Sequence, residues 1–118
     1  PVPDVVVRLT DYAFAFSKPL TAGRHVIQVQ NEASQLHEMV IVKMAPGKTA
    51  KDMDDWAHNP KGPPPGMPAA SASPLSTGRT MTFTVDLEPG DYALLCFVPD
   101  AKDGKYHTVH GMIQDIKI

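Results

Sequence analysis

The sequence predicts an all-β protein, a single domain over residues 1–118 built as a Greek-key β-sandwich of about seven to eight strands. Three observations favour this class. Short β-rich runs recur along the chain, and turn sequences such as Glu88-Pro-Gly-Asp91 separate them. The sequence also lacks the regular alternation of strand and helix that is typical of a parallel sheet. The length suits one domain with a hydrophobic core of its own.

Four strands are predicted in the first part of the chain. Residues 5–9 and 12–16 are rich in β-forming side chains. Residues 25–30 alternate between apolar and polar side chains, which is typical of a half-buried strand. Residues 37–43 contain a continuous apolar run, 39–42, and a run that is apolar on both faces indicates a central strand.

Residues 46–78 differ in composition and are predicted to be an insertion between strands. Residues 49–57 have the pattern of one or two helical turns, with Thr49 as the N-cap. Residues 59–74 are rich in proline, glycine and small side chains. This Pro-rich loop is therefore predicted to be a long surface excursion with turn and polyproline character.

Three further strands complete the predicted sandwich, at residues 80–86, 91–97 and 112–118. In the second of them, Tyr92 and Cys96 fall on the same face, because side chains alternate along a strand. The single cysteine of the chain therefore lies near the end of this strand, where the strand leads into a loop.

The composition excludes several functional classes. Apolar residues make up 42% of the chain and charged residues 20%, which is typical of a globular protein rather than a disordered one. The net charge of −2 offers no basic surface for nucleic acid or an anionic membrane, and no apolar stretch is long enough to span a bilayer. Since the sequence begins at Pro1 without Met, we expect a processed chain that has lost a signal peptide, with membrane contact only through an anchor outside this sequence.

Four side chains that can bind a soft or borderline metal ion lie at predicted strand ends. His37 begins a strand, Cys96 ends one, and His107 and Met112 flank the loop before the last strand. A thiolate, two imidazoles and a thioether form a set that selects copper over hard cations. A simpler interpretation is also open, because a lone cysteine is commonly buried in a strand and a methionine is commonly a core residue.

Three segments resemble the cupredoxins, the superfamily of plastocyanin and azurin. Residues 31–37 resemble the segment with the family's first histidine ligand. Gly90-Asp-Tyr-Ala-Leu-Leu-Cys96 resembles its Gly-x-Tyr-x-x-x-Cys strand, and His107-Thr-Val-His-Gly-Met112 resembles its His-x-x-x-Gly-Met ending. The resemblance implies a cupredoxin-like sandwich that holds a copper ion in a type 1-like site with the ligands His37, Cys96, His107 and Met112.

The resemblance also implies a function. Proteins of this family are one-electron carriers that work outside the cytoplasm, so we expect a periplasmic or extracellular carrier that meets redox partner proteins transiently and has no small-molecule substrate. The electron is expected to pass through an exposed imidazole edge. An enzyme is the least supported class, because the sequence shows no carboxylate pair, Ser-His-Asp order or glycine-rich phosphate loop.

Two features depart from the family pattern. Residues 97–106 make the loop between Cys96 and His107 longer than the few residues that are usual in the family. Glu38 directly follows His37, where plastocyanins carry an asparagine. Three interpretations of Glu38 are open: a surface residue, a hydrogen-bond acceptor that supports a ligand, or an additional oxygen ligand.

Alternative ligands and functions stay open at the level of sequence. His110 is an alternative to His107, although the register of the family motif favours His107. His37-Glu-Met39 and His110-Gly-Met112 are His-x-Met pairs of the kind that periplasmic Cu(I) chaperones use, so a Cu(I) carrier or chaperone is the second hypothesis. A metal-free cupredoxin-like binding module is the third.

Overall fold

Eight strands and one helix make up residues 2–118, the part of the chain that the structure, a computed structural model, describes. In chain order the elements are β1 Val5–Thr10, β2 Ala13–Phe16, β3 Gly23–Asn31, β4 His37–Met44, α1 Ala50–His58, β5 Gly66–Leu75, β6 Thr80–Leu87, β7 Asp91–Leu95 and β8 Ile113–Lys117. Two four-stranded sheets have the orders β2-β1-β3-β6 and β5-β4-β7-β8. Neighbouring strands are antiparallel except β1 and β3, which are parallel. The predicted all-β sandwich is confirmed.

Two hydrophobic clusters bury the second sheet on both faces. The larger cluster joins the two sheets and includes Val7 and Ile27 from the first sheet and Ile41 and Leu94 from the second, all fully buried. The smaller cluster lies where α1 packs on the second sheet, and its buried members are Val42, Met44, Ala50, Met53, Ala93 and Leu95. Strands β4 and β7 are therefore central strands, as the continuous apolar run at 39–42 predicts.

Thr49 is the N-cap of helix α1. Its hydroxyl accepts a hydrogen bond from the N–H of Asp52 at 3.3 Å, and the Asp52 carboxylate accepts one from the N–H of Thr49 at 2.9 Å. This capping box satisfies two amide groups at the start of the helix, and the predicted helical turns are confirmed. Within residues 2–118, no helix has the length and apolarity required to cross a membrane.

The prediction of a Pro-rich surface excursion is wrong for Gly66–Leu75, which forms strand β5. This strand pairs antiparallel with β4 along most of its length. β5 is an edge strand, where prolines are tolerated because one side of the strand has no partner. Gly66 permits the close approach to β4, since a Cβ there would lie 2.7 Å from the carbonyl oxygen of Lys43.

Candidate metal centre

One end of the sandwich brings the four candidate ligands together. His37 is the first residue of β4 and Cys96 directly follows β7, and these two strands are paired. The loop before β8 returns to this end of the sandwich through two backbone hydrogen bonds. The N–H of Cys96 donates to the carbonyl of Met112 at 3.2 Å, and the N–H of Met112 donates to the carbonyl of His107 at 3.0 Å. Strand pairing and loop closure thus assemble residues that are far apart in sequence.

Three donor atoms converge in a fully buried space. Sγ of Cys96 lies 3.4 Å from Nδ1 of His107 and 4.0 Å from Nδ1 of His37, and the two Nδ1 atoms are 3.0 Å apart. None of the three residues is exposed to solvent. Donor atoms at about 2.0–2.3 Å from a shared ion lie about 3.3–3.8 Å from one another when the ligand angles are tetrahedral to trigonal. The three measured separations bracket this range, so the residues fit a metal ion.

The outer nitrogens of both histidines already have hydrogen-bond partners. Nε2 of His37 lies 2.6 Å from Oδ1 of Asp11, and Nε2 of His107 lies 3.0 Å from Oε1 of Gln35 and 3.3 Å from Oδ1 of Asp100. Since these oxygens accept, we assign the hydrogen of each imidazole to Nε2, which leaves the lone pairs of the two Nδ1 atoms facing each other. Two lone pairs at this separation repel unless a positive charge lies between them. The site therefore fits a cation on chemical as well as geometric grounds.

Burial shifts the protonation of two of these ligands. It lowers the pKa of His107, with a further contribution from neighbouring His37, which favours the neutral imidazole that can bind a metal ion. Burial also raises the pKa of the Cys96 thiol, although hydrogen bonds from the backbone of Glu38 and Val98 act in the opposite direction. A bound metal cation would displace the thiol proton, because ligation requires the thiolate.

Glu38 connects the two ligand-bearing strands without joining the ligand cluster. Its N–H donates a hydrogen bond to Sγ of Cys96 at 3.4 Å, and its carboxylate accepts one from the N–H of Phe97 at 3.0 Å. Within residues 2–118, the histidine, cysteine and carboxylate groups that lie close enough to share an ion here are His37, Cys96 and His107. Of the three interpretations of Glu38, the structure supports the acceptor that holds a ligand in place.

His110 points away from this cluster. Its ring stacks on Tyr12 with the ring centroids 4.9 Å apart, and its Nε2 lies 2.9 Å from Oδ2 of Asp103. The structure thus places His107, and not His110, beside Cys96.

The two methionines of the His-x-Met pairs are both fully buried. Met39 and Met112 belong to the cluster that joins the sheets. Met112 is fixed at the site by its backbone hydrogen bonds to Cys96 and His107. Its role as a fourth ligand stays a prediction.

The long loop between the cysteine and the histidine covers His107. Pro99 pairs with Tyr106 in an isolated bridge, and this fold places the buried Asp100 beside the outer nitrogen of the ring. The exposed fraction of His107 is 0%. The prediction of an exposed imidazole edge is therefore wrong, because Asp100, Gln35 and Tyr12 all lie against the ring.

Asp11, Gln35 and Asp100 were not among the predicted site residues. All three lie in loops, where no periodic pattern indicates which side chains will meet. The only signal was chemical, since ligand histidines commonly donate their second N–H to a carboxylate or carbonyl oxygen. That rule predicts an acceptor behind each imidazole but does not say which residue provides it.

No protein-family model matches this sequence, and no curated protein matches it at a significant level. Solved structures do match. The dithionite-reduced auracyanin of Roseiflexus castenholzii has a TM-score of 0.63 at 23% identity over 98% of both chains. Auracyanin A of Chloroflexus aurantiacus, a "blue" copper protein, has a TM-score of 0.57 at 21% identity over 96% of this chain and 97% of its own. An azurin of Methylomonas sp. strain J has a TM-score of 0.59 at 14% identity over 95% of this chain and 94% of its own. At such identities the likeness establishes the fold.

Proposed function

We propose that this chain, which has the cupredoxin fold, is a one-electron carrier that holds a single copper ion through His37, Cys96 and His107, with Met112 as a weak fourth ligand. The observation that carries the proposal is the convergence of two Nδ1 atoms and Sγ, all within 4.0 Å of one another, in a fully buried space. Copper bound there would supply the change between Cu(I) and Cu(II).

The protein contributes a fixed arrangement of ligands. Asp11 and Gln35 hold the two imidazoles from behind, and the N–H of Glu38 supports the sulfur of Cys96. Ligands that are held in this way move little when the charge of the site changes, which favours fast electron exchange. Complete burial also excludes water and leaves no open position for a substrate, which favours a carrier over an enzyme.

The arrangement favours electron transfer over delivery of Cu(I). A Cu(I) carrier built on both His-x-Met pairs would direct His110 toward His37, but His110 instead stacks on Tyr12. Cys96, which that scheme does not need, directly follows β7 and turns its sulfur toward both histidines, 3.4 Å from Nδ1 of His107 and 4.0 Å from Nδ1 of His37. A fully buried site also suits a resident ion better than one that must be handed on.

The proposal extends to the partner and the location. The expected partner is a redox protein that binds transiently over a small interface. Exposed apolar side chains directly precede two of the ligands in sequence, Leu36 before His37 and Tyr106 before His107, each 40% exposed.

Copper-thiolate carriers of this kind work outside the cytoplasm, and we propose a periplasmic or extracellular location for this chain. Cell fractionation with an antibody tests this, and recovery in the cytoplasmic fraction would contradict it.

Copper titration with absorption spectroscopy tests the proposed function. Addition of Cu(II) to the purified chain is expected to give one bound copper and an intense visible band from thiolate-to-copper charge transfer. Cys96→Ser and His107→Ala should each abolish this band, whereas His110→Ala, the matched histidine control, should retain it. Reversible one-electron reduction at an electrode should bleach and restore the band.

Different failures identify different alternatives. Loss of the band only in His110→Ala would move the ligand assignment from His107 to His110. A Cu(I) affinity that survives Cys96→Ser would favour the Cu(I) carrier. No stoichiometric copper and no band in the unchanged chain would favour the metal-free module.

A further inference from the structure

A network of two carboxylates and one amide lies directly behind the two histidines. Nε2 of Gln35 donates to Oδ1 of Asp11 at 3.2 Å and to Oδ1 of Asp100 at 3.0 Å, so Gln35 links the two carboxylates. Asp11 accepts a hydrogen bond from Nε2 of His37 at 2.6 Å, and Asp100 lies 3.3 Å from Nε2 of His107. Each imidazole therefore has a carboxylate at its outer edge.

Asp100 is fixed in this network by further donors. The hydroxyl of Tyr12 donates to its Oδ1 at 2.8 Å, and the N–H of Lys102 donates to its Oδ2 at 3.0 Å. These hydrogen bonds, led by that from Tyr12, hold the pKa of Asp100 well below its usual range. The network therefore carries negative charge close to the ligands.

We propose that the charge of Asp11 lowers the reduction potential of the metal centre, in addition to orienting His37, an inference that rests on the proposed function. The oxidised centre carries one more positive charge than the reduced centre, so a carboxylate hydrogen-bonded to a ligand imidazole stabilises the oxidised form preferentially. The short contact of 2.6 Å also makes the imidazole a stronger electron donor. Because His37 is fully buried, water screens this interaction less than it screens a pair at the surface, although the Asp11 side chain itself is 31% exposed.

Asp11→Asn is a clean probe of this charge. Nε2 of His37 and Nε2 of Gln35 both donate to the same oxygen, Oδ1. An asparagine will therefore keep its carbonyl oxygen at this position and turn its amide nitrogen toward the side that is partly exposed, so both hydrogen bonds remain and only the charge is lost. Asp100→Asn is not equivalent, since both of its carboxylate oxygens accept hydrogen bonds and an amide nitrogen would face a donor.

The experiment uses the full chain loaded with copper and measures the midpoint potential at neutral pH, the visible spectrum and the affinities for Cu(II) and Cu(I). Asp11→Asn is expected to retain the visible band and to lower the ratio of Cu(II) to Cu(I) affinity about tenfold. For a one-electron couple this change is a rise of about 59 mV in midpoint potential.

Asp86→Asn is the charge-matched control. Asp86 is exposed on β6, where it pairs with Arg24 near the start of β3. The loop with Gln35 follows the opposite end of β3, so Asp86 and the metal centre lie toward opposite ends of this strand. The loss of this remote, exposed charge is expected to change the ratio of Cu(II) to Cu(I) affinity less than about twofold, because solvent screens it.

Asp11→Ala separates the charge of Asp11 from its orienting role. If Asp11 only orients His37, Asp11→Asn will match the unchanged chain and only Asp11→Ala will shift the potential, which would overturn the inference. If the charge acts, Asp11→Asn alone will reproduce most of the shift. An unchanged chain with no bound copper and no band would refute the proposed function and the inference with it. A normal band together with equal potentials in Asp11→Asn and Asp86→Asn would refute the inference alone.

Discussion

Asn31 anchors the loop that carries Gln35 and leads into His37, and its replacement tests how the fold holds the site in place. With 1% of its surface exposed, Asn31 donates from Nδ2 to the carbonyls of Gln35 at 2.9 Å and Leu75 at 2.7 Å, and accepts at Oδ1 from the N–H of Ala33 at 2.9 Å. Asn31→Ala removes all three hydrogen bonds. It leaves three backbone groups without these partners, that of Ala33 in a buried position and those of Gln35 and Leu75 in partly buried positions.

The magnitude follows from these three bonds. Each contributes about 1 kcal/mol net, so we expect Asn31→Ala to lower the free energy of unfolding by about 3 kcal/mol. For a chain of 118 residues this corresponds to a fall of about 12 °C in Tm. Copper affinity should fall as well, because the loop that holds Gln35 against His107 loses its attachment to β3 and β5.

Urea unfolding of the copper-free chain, followed by circular dichroism, measures this effect. Gln30→Ala is the control on the same strand, where one hydrogen bond to Gln28 at the part-exposed surface is lost and a change within about 0.5 kcal/mol is expected. Asn31→Asp has nearly the same shape but places an oxygen against two carbonyls, so it should destabilise at least as much as Asn31→Ala. A loss below about 1 kcal/mol for Asn31→Ala, or a stable Asn31→Asp, would refute the reasoning.

Three further changes test other parts of the structure. Gly66→Ala should lower the free energy of unfolding by about 1–3 kcal/mol in urea, because its Cβ would lie 2.7 Å from the carbonyl oxygen of Lys43, and an unchanged midpoint would contradict this close packing. The hydrogen bond from His25 lowers the pKa of Asp4 below 3.8, so the carboxylate stabilises the fold above that pH and this stabilisation is lost below it. The urea midpoint of the unchanged chain should therefore fall more steeply from about pH 5 to about pH 3 than the midpoint of Asp4→Asn. Parallel curves would contradict this. Met112→Leu conserves volume and should change the unfolding free energy of the copper-free chain by less than about 1.5 kcal/mol. It should raise the midpoint potential of the copper-loaded chain, because a donor to the oxidised ion is lost, and an unchanged potential would exclude Met112 as a ligand.

The central part of the sandwich could be predicted because its signals are local. The apolar run at 39–42 predicts a strand buried on both faces, and the structure has β4 at that place. A buried strand has a fixed register, so His37 at the start of β4 and Cys96 directly after β7 could be placed at the same end of the sandwich from sequence. The edge strand β5 could not be predicted in the same way, because prolines and small residues carry no alternating pattern.

The surroundings of the ligands could not be predicted because they depend on contacts between loops. Gln35 is 24 residues from Asp11 and 65 residues from Asp100 in sequence, yet it donates hydrogen bonds to both. In the sequence, Asp100 has no feature beyond its place near a turn. Its burial against His107 follows from the path of residues 97–106, which is set by tertiary contacts such as the hydrogen bond from the Tyr12 hydroxyl.

The burial of His107 changes how a partner can reach the site. No part of this imidazole is exposed, so a partner cannot contact it directly. The ring of Tyr12 lies 5.6 Å from that of His107 and stacks on His110, whose side chain is 26% exposed, so aromatic contacts lead from the buried ligand toward the surface. The covering loop also contributes Asp100 and fixes Gln35, because the N–H of Ala101 donates to Oε1 of Gln35 at 2.9 Å. The covering loop therefore both buries His107 and places one of the two carboxylates, Asp100, behind the ligands, so a change in loop length would alter the burial of the ring and part of the nearby charge together.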